Sequence, residues 1–198
     1  MNSRTTAREF LTRFIEAYEE SIGRLPGDQD KIWDNQWNGL IIGKSTNPPA
    51  PLEKSVWQLT AERLGLAYSR GEPLRLDGAF YEDTGRGQVR PFPIRVALEH
   101  EYVRANFSEE IVKLLSIRCP LKVGIFYSDK GDTAWNLADT ERQIRKYFEE
   151  FSALVGEDAS AEYLFIAGIV HRHLFRIAWK ALIFTAADDL EGRHFDDV

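Results

Sequence analysis

Two short apolar stretches carry acids where acids are expensive. Leu74–Tyr81 (LRLDGAFY) and Pro93–Tyr102 (PIRVALEHEY) both read as buried strands, yet they hold Asp77, Glu99 and Glu101. A buried carboxylate is tolerated only beside a group that compensates its charge. A fold for this chain must therefore supply these acids with a cation, a proton or a partner. Residues two apart on a strand share a face. Glu99 and Glu101 then point together with Arg95 and Ala97, while Ile94, Val96 and Leu98 turn into the core. Asp77 shares its face with Arg75, Ala79 and Tyr81, and pairing the two stretches as a hairpin sets Asp77 opposite Glu99.

The rest of the chain alternates helical and extended patterns. Phe10, Phe14, Tyr18 and Ile22 recur every fourth residue, which predicts a helix over 8–22 that stops at Leu25-Pro-Gly27. Lys31–Ile42 holds Trp33 and Trp37, at the spacing of one helical face. Pro51 opens a predicted helix to Leu64, closed by Gly65. Ser108 is the expected cap of a helix ending near Arg118, with Glu109 and Glu110 in its first turn. Leu121–Tyr127 (LKVGIFY) reads as an apolar strand. Thr133–Val155 reads as a long helix striped by Ile144, Phe148, Phe151 and Val155. Glu162–Val170 and Leu174–Ala186 read as a second hairpin around His171-Arg-His173.

The expected fold class is α/β, with a mixed central β-sheet flanked by helices. A single domain of 198 residues divides into an N-terminal helical appendage (1–50), a core (51–128), a long helix with a C-terminal hairpin (129–187) and an acidic tail (188–198) expected to fray. One cysteine, Cys119, forms no internal disulfide, and its apolar setting makes it a small buried hydrophobe. That usage and the absence of a signal-peptide pattern predict a cytoplasmic protein. No apolar run reaches the ~18 residues of a membrane span. The net charge of −6 does not favour nonspecific nucleic-acid binding, although Arg86, Arg90 and Arg95 form a local basic cluster beside the acidic strands.

Two carboxylates about 6 Å apart repel by roughly 3 kcal/mol at an effective dielectric of about 20, or about two pK units. Three together would take up protons or capture a hard cation such as Mg²⁺ or Mn²⁺. Such a metal polarises a phosphoryl oxygen and lowers the pKa of a bound water. The order of elements resembles that of the PD-(D/E)XK nuclease superfamily, the restriction-endonuclease-like fold. That order is a helix (Pro51–Leu64), a strand with Asp77, a strand with Glu99-His-Glu101, a helix (Ser108–Arg118) and a strand (Leu121–Tyr127). The resemblance covers residues 51–128 and departs from the motif at Glu101, which stands where the family usually has lysine. It implies metal binding by Asp77 and Glu99 with the backbone carbonyl of His100, and water activation by Glu101. It also implies a further acid from the preceding helix, for which Glu53 is the candidate by helical-wheel position, and a lysine displaced onto the next helix. Lys113 is the candidate lysine, although the wheel sets it opposite Ile111, Leu114 and Leu115, toward solvent.

The activity so implied is metal-dependent hydrolysis of a phosphodiester bond, with DNA as the partner favoured by resemblance, and a homodimer where both strands are cut. Two rivals stand beside it. One is a catalytically inactive member of the fold that binds nucleic acid or protein. The other is a hydrolase of another phosphorylated substrate. Ion pairing of the acids with Arg75 and Arg95 is the plain alternative to a metal site. Asn38-Gly-Leu-Ile-Ile-Gly-Lys-Ser45 approaches a phosphate-binding loop, with its first glycine replaced by asparagine. His171, His173 and His194 fit exposed positions better than metal ligation, and Trp33 and Trp37 fit core packing better than base stacking.

Overall fold

A computed structural model of the protein describes residues 4–24, 41, 53–70, 75–82, 93–101, 107–128, 137–151, 153, 160–171, 176–185 and 193–195. They fall into two compact units, Met1–Arg95 and Val96–Val198. Trp33, Trp37, most of the 38–45 loop motif, Arg86, Arg90 and His173 lie outside the described residues.

In the first unit, Thr6 caps helix α1 (Ala7–Gly23) by accepting the Glu9 backbone N–H at 3.2 Å. The predicted apolar stripe is buried through Phe10, Phe14 and Tyr18, and each such ring contributes roughly 1.5–3 kcal/mol on leaving water. Helix α2 (Val56–Arg63) starts later than expected. Ser55 and Gln58 form a reciprocal capping box, 3.3 and 2.8 Å, which sets the first turn at Val56. Glu53 therefore stands before the cap, exposed, and not on the helix face assigned to it. Gly65, at φ +67°, terminates the helix as the sequence predicts. The α1–α2 contact carries Arg63 paired with Glu20 and lying 3.7 Å from Glu16.

Strand β1 (Leu66–Arg70) is absent from the sequence reading. It pairs antiparallel with β2 (Gly78–Glu82), Leu66 against Glu82 through Arg70 against Gly78. The stretch predicted as one strand from Leu74 is extended only from Gly78. Arg75 takes a positive φ of 62°, which breaks the run. Asp77 is thus a half-buried residue in a bend just before the strand, and the alternation argument that placed it on one face with Arg75 does not hold. Gly78 is required by packing. A Cβ there would meet Trp57 Cζ3 and Tyr68 Cε2, both at 2.9 Å.

The second unit is a mixed sheet. Strand β3 (Ile94–Glu101), whose first two residues belong to the first unit, leads into helix α3 (Phe107–Leu115) and β4 (Leu121–Ser128). Helix α4 (Leu137–Glu150) falls within the predicted 133–155, of which residues 133–136, 152, 154 and 155 lie outside the described residues, and it precedes β5 (Glu162–His171), β6 (Arg176–Thr185) and β7 (Arg193–Phe195). Strands β3, β4 and β5 are parallel, and β5–β6 and β6–β7 are antiparallel. The expected mixed sheet with helices, and the C-terminal hairpin, are present. The tail expected to fray contributes β7, with His194 opposite Leu182. Both helices pack on one sheet face, since Phe107 of α3 meets Phe126 and Phe148 of α4 meets Phe165, and Phe126 and Phe165 share that face. Phe107 packs edge-on against Phe126 at 4.5 Å, and Phe148 lies 4.8 Å from Tyr163. Among the described residues no helix is long and apolar enough to cross a membrane.

Candidate functional site

Parallel register sets Glu99 beside Gly124 and Gly124 beside Phe165, with Glu101 beside Phe126 in the next row. Because the side-chain period is two, all five lie on the face covered by α3 and α4. Glu99 is only 2% exposed and Glu101 is half-buried.

Helix α3 brings the compensating charge. Its apolar positions Phe107, Ile111, Leu114 and Leu115 are buried, which should turn Lys113 outward. The structure corrects that expectation, for Lys113 Nζ lies 3.0 Å from Glu99 Oε1, with the lysine side chain 31% exposed. A wheel fixes only the direction of the Cα–Cβ bond. The four-carbon stem of lysine lies along the helix flank and carries the ammonium back to the sheet. The same ammonium pairs with Glu110, one turn earlier on α3. Partial burial alone would lower the Lys113 pKa, but hydrogen bonding and charge attraction from Glu110 and Glu99 outweigh it, and the pKa stands above its ordinary value.

Glu99, Glu101 and Glu110 line one small cavity with Phe107, Gly124 and Phe165. Its volume of about 10 Å³ is on the scale that a single water-sized particle requires. Gly124 leaves this space open, since a Cβ there would come within 3.0 Å of Phe165 Cδ1 and 3.2 Å of Phe126 Cε1. Tyr147 on α4 donates to Ser108 Oγ at 2.6 Å and ties α4 to the first turn of α3.

His100 turns to the opposite face, where its Nε2 is 2.9 Å from Tyr127 Oη, so its ring takes no part beside Glu99. Asp77 and Glu53 stand in the first unit. Arg95, the expected neutraliser of the strand acids, pairs with Glu82 in that same unit. No group of three or more His, Cys, Asp or Glu residues is placed to hold a metal ion among the described residues.

One participant in the site, Glu110, and one buried charge outside it, Lys122, escaped the sequence reading. Glu110 looked like a first-turn acid facing the helix dipole, but its three-residue spacing from Lys113 was a signal for an ion pair. Lys122 sat inside an apolar strand. It is fully buried, and its Nζ donates to Tyr163 Oη at 3.1 Å. A lysine in an uninterrupted apolar run was the clue. No protein-family model matches the chain, and comparison with curated proteins finds no match. The candidate site therefore stands on the chemistry of the chain's own side chains.

Proposed function

We propose that the helix-covered face of the second unit is the reaction centre of a metal-dependent, nuclease-like phosphodiester hydrolase, with DNA as its favoured substrate. One observation carries the reading. The motif lacks its usual lysine at Glu101, and Lys113 from the next helix brings an ammonium to within 3.0 Å of the buried Glu99. The chain order of helix α2, β2, β3 with Glu99, helix α3 and parallel strand β4 also follows the order behind the nuclease resemblance, with β1 added after α2 and Asp77 in the bend ahead of β2.

The donor set suits Mg²⁺ or Mn²⁺. Magnesium is held by one or two carboxylates, with water and substrate phosphate oxygens completing its shell. Glu99 and Glu101, two residues apart on one face of β3, supply the two carboxylates that this mode needs. A bound divalent ion supplies Lewis-acid polarisation of the phosphoryl group and a more acidic water. Glu99 and Glu101 would hold it. Glu101, more open to solvent than Glu99, accepts the proton of the attacking water. Lys113 offsets the charge of Glu99 and presents positive charge to the negative oxygens of the reacting phosphodiester.

The test is nicking of plasmid DNA in Mn²⁺ together with calorimetric Mg²⁺ titration. Wild type should bind and cleave, Glu99→Gln should lose both, and Glu101→Gln should cut about 10²-fold more slowly. The non-catalytic binding module is the second reading, favoured by the lack of a three-ligand group among the described residues. A wild-type protein that neither binds metal nor cuts any nucleic acid decides for that module.

A further inference from the structure

Resting on the hydrolase reading, we propose that Glu110 is a positioning residue that holds the Lys113 ammonium against Glu99. Three observations meet here. Glu110 and Lys113 are paired at three-residue spacing on α3. The same ammonium reaches Glu99, which is 2% exposed, on β3. Glu110 itself lines the cavity that Glu99 and Glu101 border.

The need for a second anchor follows from lysine chemistry. A flexible four-carbon stem ending in a strongly hydrated point charge does not keep one geometry by itself. Lys113 retains 31% exposure, so water competes with Glu99 for its ammonium. Glu110 shares the helix with Lys113 and closes only a short loop in holding it. Its side chain is 17% exposed, less than that of the lysine it holds. The helix turn that carries it is itself pinned, since Tyr147 bonds Ser108 at 2.6 Å. Glu110 therefore acts on the reaction through Lys113 and not by touching the substrate.

The experiment is trace acetylation of the intact protein with acetic anhydride, read lysine by lysine by peptide mass spectrometry. Glu110→Gln should raise the labelling rate of Lys113 by about threefold, the scale of losing one partly exposed ion-pair partner. Lys122, fully buried, reports opening of the unit and should keep its wild-type rate. Glu109→Gln, a change at the exposed neighbouring acid, should leave Lys113 unchanged. Glu110→Asp keeps the charge and should restore part of the protection. In the nicking assay, Glu110→Gln should lower kcat with KM unchanged. An unaltered Lys113 rate in Glu110→Gln, or a rise only in step with Lys122, overturns the assignment. Selective exposure of Lys113 in a protein whose wild type cuts no nucleic acid upholds the positioning role and refutes the hydrolase reading instead.

Discussion

Replacing Lys113 by methionine isolates the charge that Glu99 depends on. Methionine keeps a long unbranched stem, so packing along the helix flank changes little while the ammonium is lost. Two unit charges 3.0 Å apart attract by about 5.5 kcal/mol at an effective dielectric of ~20 and by about 1.4 kcal/mol in water. Glu99 lies at the buried extreme and Lys113 remains 31% exposed, so the relevant figure falls between these limits, at about 3 kcal/mol. That matches the lower end of the ~3–5 kcal/mol lost when one partner of a buried pair is removed. Urea denaturation should show the loss as a lower midpoint with an unchanged slope. In a chain of this length it corresponds to a Tm lower by roughly 6–12 °C. The decisive comparison is the same substitution in a Glu99→Gln background. With no carboxylate left uncompensated, Lys113→Met should then cost under about 1 kcal/mol, giving a coupling of about 2 kcal/mol. A coupling below about 0.5 kcal/mol would refute the argument, because Glu99 would then be stabilised by something other than Lys113.

Two further outcomes follow from other parts of the structure. The pKa values of Lys113 and Tyr81 both stand above their ordinary 10.5 and 10.0, the tyrosine because burial disfavours its anion. The folded state therefore holds more protons than the unfolded state in alkali, and stability falls with rising pH. It should be level up to about pH 10 and decline above it, as pH passes through the raised values. Lys113→Met should flatten part of that decline in pH-resolved urea melts, and an identical profile would exclude Lys113 as a source. Gly124→Ala should cost about 1–3 kcal/mol by crowding Phe165 and Phe126. It should also weaken Mg²⁺ binding, because it fills the space beside Glu99; unchanged calorimetry would remove Gly124 from the site.

What the sequence determined by itself was the set of elements with clear periodicity and the chemical oddity of the strands. Phe10, Phe14 and Tyr18 declared α1, and the apolar runs of β4, β5 and β6 declared the second unit's sheet, because the period of buried residues is written locally. The acids of β3 were legible for the same reason, as charges inside a run that has to be buried. Local patterns misled where a backbone choice or a long side chain intervened. Arg75 adopts a positive φ, so the stretch before Gly78 is not a strand and Asp77 does not share its alternation. The Ser55–Gln58 box starts α2 at Val56 and leaves Glu53 outside it. Tertiary structure alone decided the partner of Glu99. A helical wheel turns Lys113 to solvent, but packing α3 beside β4 brings a flexible ammonium within 3.0 Å of a carboxylate 14 residues earlier in the chain. No periodicity encodes that meeting, because it depends on where a helix docks and on how far a lysine stem reaches.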